Sequence, residues 1–213
     1  MNVKLVRYTK DPLQTIIDAY RRCHLSEEKS DSQCECLGES DEKLLKKCIK
    51  LGHHSPLEFV DFEFDITLSK VADRQLCRHR MASYAGESMR YVTAKDYFTP
   101  KTIFTNDKAM AIYMASILNS FSKYQELIEN GVNIEDARYV LPMATTGKFL
   151  YKTNLRSLRN AIAERTCKYA QTEIREIFLH IKELVASIQP IFLYRCEKMY
   201  SCEVKCGQCM GVM

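Results

Sequence analysis

Between Arg78 and Tyr91 the chain reads RHRMASYAGESMRY, which sets three arginines, one histidine and two serine hydroxyls within fourteen residues. A guanidinium is planar, permanently charged and rich in donors, so such a cluster suits recognition of phosphate or carboxylate better than a buried core. A solvated basic helix end, favoured by the helix dipole, accounts equally well for Arg78 and Arg80. It does not account for Ser88 and Arg90 following so closely, in a segment where Gly86 lets backbone amides approach an anion.

Two further segments bring polar groups that no apolar pattern requires. Gly52 to Glu58 contains His53, His54 and Ser55. Adjacent histidines beside a Ser-Pro pair can bind a metal, bond a ligand or occupy a polar turn, and a metal site needs more ligands than this pair. Arg138 to Tyr169 contains Asn154, Arg156, Asn160 and Arg165. Helical spacing puts Arg156 and Asn160 together, four residues apart, and sets Arg165 in line with Leu158 and Ile162. A guanidinium on an apolar flank is costly unless it meets an anion or an interface, or snorkels to the surface. One site built from all three segments is the natural expectation.

Such a site needs elements to position it. Asp11 and Pro12 signal a helix carrying Leu13, Ile16, Ile17 and Tyr20, and the polar run Ser26 to Asp41 reads as a loop. A second helix follows, capped by Ser40, with Leu44, Leu45, Cys48 and Ile49 on its apolar side and Gly52 at its end. Phe62, Phe64, Ile66 and Leu68 alternate with Glu63, Asp65 and Thr67, the pattern of a half-buried strand. Ser69 caps a helix that carries Gln75 and delivers Arg78 to Arg80 at its carboxyl end, and Tyr84 to Tyr97 reads as irregular or extended. Met110, Met114, Ile117, Phe121, Tyr124 and Ile128 form one side of a long helix ending near Asn130 and Gly131, a core stripe rather than chemistry. A short helix from Asn133 stops before Pro142 and exposes Arg138. A turn at Gly147 precedes a strand over Phe149 to Thr153. A last helix from Leu155 to Ser187 buries Ala170, Ile174, Ile177, Ile181, Leu184 and Ile188.

The whole chain sets wider bounds. Its 213 residues without a Pro/Gly/Ser-rich linker read as a single domain over 1–213. With 46% hydrophobic and 27% charged residues it has the composition of a globular protein, and no apolar run suits a membrane span or a signal peptide. Cytoplasmic location is the default expectation. A net charge of +4 is too mild to mark a nucleic-acid binder, and ten cysteines without a secretion signal are expected to remain thiols. The order Cys196, Cys202, Cys206, Cys209 ends in a CxxC pair that can hold zinc or exchange disulfides, but the other spacings match no common zinc ribbon. A flexible cysteine-rich tail over about 195–213 is the expectation, with no metal site.

Arg78-His79-Arg80, seven residues, Ser88 and then Arg90-Tyr91 resemble the signature of flavin-dependent thymidylate synthases. Gly52-His53 with Ser55-Pro56 and Glu58 resembles the family's upstream flavin segment. Ala137-Arg138 before Val140-Leu141-Pro142 resembles its nucleotide-binding turn, and Asn154, Arg156-Ser157-Leu158, Asn160 and Arg165 resemble its carboxyl-terminal site helix. Several ordered motifs over residues 45 to 175 carry more weight than any one of them.

The resemblance implies an α/β (α+β) fold, a central antiparallel sheet flanked by long helices, assembled as a homotetramer with sites shared between subunits. It implies methylation of dUMP to dTMP with FAD, NADPH and methylenetetrahydrofolate, and no nucleic-acid or membrane partner. FAD would be held by His53, Ser55, Arg78, His79, Arg80, Asn154, Arg156 and Asn160. The dUMP residues would be Gln75, Arg78, Gly86, Glu87, Ser88, Met89, Arg90, Arg138 and Arg165, with Arg165 the catalytic one. A permanent cation there can stabilise negative charge over uracil N3 and its carbonyls, which makes C5 nucleophilic. Ser88 has no sequence-local base, so hydrogen bonding to dUMP suits it better than nucleophilic attack. Ala85-Gly86 stand where relatives often have Asn-Glu, and Phe59 and Tyr169 where they often have histidines. Two other readings remain: a catalytically silent flavin or nucleotide binder, kept alive by Ala85, Gly86 and Tyr169, and a zinc-dependent nucleic-acid adaptor built on the cysteine tail and the arginines.

Overall fold

The computed structural model describes residues 2–23 and 39–196. The sheet has four antiparallel strands in the order β1 (Asn2–Tyr8), β2 (Asp61–Ser69), β4 (Thr146–Asn154) and β3 (Ala82–Gly86). Its apolar face is built by the alternation in β2, where Phe62, Phe64, Ile66 and Leu68 are all buried. Cross-strand pairing puts Phe64 opposite Tyr151, and Tyr151 opposite Tyr84. These rings stack with centroids 6.2 and 5.4 Å apart. The other face presents Lys148, Leu150 and Lys152, all exposed, while Arg7 covers Glu63 through a 3.0 Å ion pair.

Among the described residues eight helices accompany the sheet: α1 (Pro12–Cys23), α2 (Glu39–Lys50), α3 (Lys70–Leu76), α4 (Lys101–Phe104), α5 (Asp107–Glu129), α6 (Ile134–Ala137), α7 (Leu155–Arg165) and α8 (Thr172–Ile188). Ile174, Ile177, Phe178, Ile181 and Val185 of α8 join the β2 side chains in one buried cluster with residues from α1, α2 and α7. Each such side chain contributes about 1.5–3 kcal/mol when withdrawn from water. This is a single α+β domain. None of the described helices is long and apolar enough to cross a membrane.

Several expectations change. β1 had no counterpart in the sequence reading, although it pairs along β2 from Asn2 to Tyr8. α2 begins at Glu39, so Ser40 lies inside it. Gly147 sits within β4, opposite Leu68, and β3 occupies part of the stretch read as irregular. The long last helix is two helices: α7 stops at Arg165, and Gln171 starts α8 by accepting from Ile174 N at 3.1 Å. Ala170 therefore lies in the connection. Of the α5 stripe, only Ile117 and Tyr124 are buried, and they stand apart from the main cluster, since α5 packs on α4, α6 and the 3₁₀ turn Arg138–Val140. Cys196 is buried and donates to Arg159 O, while Cys202, Cys206 and Cys209 lie outside the described residues.

Candidate functional site

Ser69 ends β2 and caps α3, its Oγ accepting from Ala72 N at 3.2 Å, as the sequence implies. The helix carries Gln75, and the turn after it carries Arg78, His79 and Arg80. Tyr84 in β3 fastens that turn, its hydroxyl lying 2.9 Å from Leu76 O and 2.7 Å from His79 O. Arg165, the last residue of α7, reaches the same place. Its Nε donates to His79 Nε2 at 2.9 Å, Nη1 to Gln75 Oε1 at 3.4 Å and Nη2 to Gln75 O at 3.1 Å.

Accepting a hydrogen from Arg165 requires a neutral His79 with its proton on Nδ1. Burial, then the Arg165 charge, lowers the His79 pKa against a smaller opposing pull from Glu164. Its ring rests on Phe178, centroids 5.7 Å apart. As pH falls below the ordinary histidine value of 6.5, the unfolded chain binds the proton before the folded one does. Stability is therefore whole above that value and declines below it. The thermal midpoint is expected to drop on acidification through this window, and His79→Asn to flatten that part of the slope; paired melts across pH check it.

A second cluster brings Arg90 and Arg138 together on one residue that the sequence reading missed. Glu135, in the first turn of α6, takes Arg90 Nε on its carboxylate at 2.7 Å and Arg138 Nε on its backbone carbonyl at 2.8 Å. The ion pair is exposed, so it contributes at most about 1 kcal/mol and can yield to a stronger anion. Ser88 Oγ accepts from Arg90 N at 3.3 Å. Glu87 extends the β3–β4 pairing, its N–H donating to Lys148 O at 2.9 Å and its carboxylate accepting from Lys148 N at 3.1 Å. Glu87 and Met89 line a cavity of about 330 Å³ with Val92, Lys95 and Lys148.

Gly86 has a different reason from the one expected. A Cβ there would lie 2.5 Å from Phe149 Cε1, and Lys70 Nζ holds that ring at 5.0 Å from its centroid. The missing side chain is thus explained by the ring across the strand pair, rather than by an anion. Gly86→Ala is expected to cost about 1–3 kcal/mol through overpacking, measurable in urea melts, and to displace Glu87 and Ser88.

The third cluster forms at the 3₁₀ turn Ser55–Phe59, where Glu58 meets Arg156 Nη1 at 2.6 Å. His53, Ser55 and Arg156 line a cavity of about 300 Å³ with Tyr20, whose hydroxyl donates to His53 O at 2.5 Å. His54 turns its ring to Ile49 O at 3.2 Å. Asn160 is half-buried one turn beyond Arg156. Asn154 caps α7, Oδ1 accepting from Ser157 N at 2.9 Å, which leaves its amide NH₂ for a ligand. Arg78 and Arg80 are exposed, and among the described residues neither has an ion-pair partner. Unpaired guanidiniums, a serine hydroxyl and a side-chain amide are donors of the kind that suit the diphosphate of a dinucleotide. Among the described residues no three His, Cys, Asp or Glu side chains converge as metal ligands, and no ion pair joins one cluster to another.

Residues 4–191 match the family model described as thymidylate synthase complementing protein. The chain is 36% identical over 196 residues to the flavin-dependent thymidylate synthase of Geobacter sulfurreducens, covering 89% of this chain and 84% of that one. It is 36% identical over 202 residues to the enzyme of that name from Pyrococcus furiosus, covering 90% and 82%. Its fold is similar to that of the UMP/dUMP methylase PolB of Streptomyces cacaoi bound with 5-Br dUMP, with a TM-score of 0.83, 22% identity and coverage of 93% and 94%. Matched by the family model over most of its length and 36% identical to two such enzymes over more than four-fifths of each chain, the chain belongs to the flavin-dependent thymidylate synthase family.

Proposed function

We propose that this protein methylates uracil C5 of dUMP to give dTMP, taking the carbon from methylenetetrahydrofolate and electrons from NADPH through FAD, in a homotetramer whose subunits share sites. The observation that carries this reading is Arg165: a half-buried guanidinium whose hydrogen-bond acceptors, His79 Nε2, Gln75 Oε1 and Gln75 O, are all neutral. Among the described residues no carboxylate pairs with it, and a guanidinium of this kind can stabilise a pyrimidine anion. Gln75 orients it, Ser88, Arg90 and Arg138 hold the nucleotide, and the Gly86 to Met89 backbone flanks them. Arg78, His79 and Arg80, with His53, Ser55, Asn154, Arg156 and Asn160, hold the flavin. FAD, when bound, supplies the one-carbon shuttle and the final hydride. The chain itself binds, orients and places charge.

Tritium release from C5-labelled dUMP, with the folate and NADPH supplied to the yellow protein, tests the reaction. A colourless preparation, or a flavin-loaded one that releases nothing, would overturn it.

A further inference from the structure

Glu173 stands in the first turn of α8 and is 1% exposed, yet no ion pair accompanies it among the described residues. Among the described residues its carboxylate is held by Ser69: Oε1 accepts from Ser69 N at 2.7 Å and Oε2 from Ser69 Oγ at 2.5 Å. The same Ser69 Oγ accepts from Ala72 N, so hydroxyl, carboxylate and helix amide form a relay with a fixed direction. With its hydrogen given to Glu173, the Ser69 oxygen turns its lone pairs to the amides of α3. A charged acceptor strengthens both bonds, and a buried carboxylate near the positive end of a helix is electrostatically favoured. Burial raises the Glu173 pKa, and the two Ser69 bonds are the largest influences that pull it back.

The other end of α3 is held from the same stretch of chain. Arg165 reaches Gln75 and His79 there, and only the connection from Thr166 to Gln171 separates α7 from α8. α3 is thus gripped at its start by Glu173 and at its finish by Arg165. We propose that Glu173 is a positioning residue for the dUMP and flavin sites, acting through Ser69 to fix the axial position of α3 and hence of Gln75, Arg78 and His79. The inference rests on the roles assigned to those residues under the proposed function.

Glu173→Gln is the sharpest probe. An amide can accept from Ser69 N, but it must then donate to Ser69 Oγ, which turns the serine hydrogen away from its acceptor and reverses the relay. Misplacement of site residues by a fraction of an ångström to 1 Å lowers turnover on the order of 10- to 100-fold. Steady-state kinetics on the wild type, Ser69→Ala, Glu173→Gln and the double variant, with bound flavin and dUMP affinity measured in parallel, form a double-mutant cycle. Each single change is expected to lower kcat/KM for dUMP by about 10- to 100-fold and to weaken dUMP binding, and the double variant to be no worse than the poorer single. Glu173→Asp, which keeps the charge, is expected to recover part of the loss, and it replaces the glutamine variant if that one fails to fold.

Losses that multiply in the double variant would overturn the inference. So would a lowered thermal midpoint with unchanged kcat/KM and dUMP affinity. Wild-type protein that forms no dTMP would instead overturn the proposed function, and dUMP affinity across the cycle would still decide the coupling between Glu173 and Ser69.

Discussion

Arg165→Ala is expected to lower tritium release from C5-labelled dUMP by about 10²–10³-fold, the usual effect of deleting one preorganised donor to a developing anion. Three neutral acceptors surround the guanidinium. A cation paired with a carboxylate would have its field cancelled locally, whereas this one keeps its full charge in a half-buried setting where the effective dielectric is low. Arg165→Lys separates charge from geometry. Lysine keeps the cation, but its compact ammonium cannot reproduce a planar fork that reaches His79 Nε2 and Gln75 together. The lysine variant is therefore expected to fall between alanine and wild type, with most of its loss in kcat. Flavin absorbance per chain is the control: if alanine abolishes flavin binding, Arg165 serves the cofactor and not the pyrimidine.

Phe178→Ala should produce the largest loss of stability, about 3–5 kcal/mol. The ring is fully buried, lies 6.4 Å from Tyr151 centroid to centroid, and belongs to the stack that continues through Phe64 and Tyr84. Its opposite neighbour is His79, so the cavity would open directly beneath a site residue. At roughly 2–4 °C per kcal/mol for a chain of this size, calorimetry should show the melting temperature fall by roughly 6–20 °C. A fall of under about 2 °C would mean that the sheet and α8 close over the gap, contrary to a close-packed interior.

The sequence made the local parts of this architecture legible. Alternation over Phe62 to Leu68 located β2, and Ser69 marked the start of α3, because burial period and capping are properties of a few neighbouring residues. The three arginine-bearing segments stood out for the same reason: charged groups were present where no apolar pattern called for them. What escaped notice depends on partners far along the chain. β1 carries Lys4 and Arg7 among its apolar residues and is held as a strand by pairing along the edge of β2. The break between α7 and α8 contains neither glycine nor proline, so nothing in Thr166 to Gln171 announced it. Gly86 looked like an anion-binding glycine until Phe149 was found across from it. Glu135 was one acid of a short helix in the sequence and Glu173 fell inside a helix read from Leu155 to Ser187; their importance comes from Arg90 and Arg138 for the first and from Ser69 for the second.

The two grips on α3 also set an order of events as the protein forms. The Gln75 to Arg165 bond closes a separation of 90 residues and the Ser69 to Glu173 bond one of 104. Contacts this distant bear the full entropy of loop closure before they return anything. A growing chain can make its α3 turn early, but it cannot fix that turn in place until the start of α8 has emerged from the ribosome. The chemistry of this protein is thus among the last things its folding completes, and nascent chains halted before Glu173 should contain the signature arginines without the pocket that uses them.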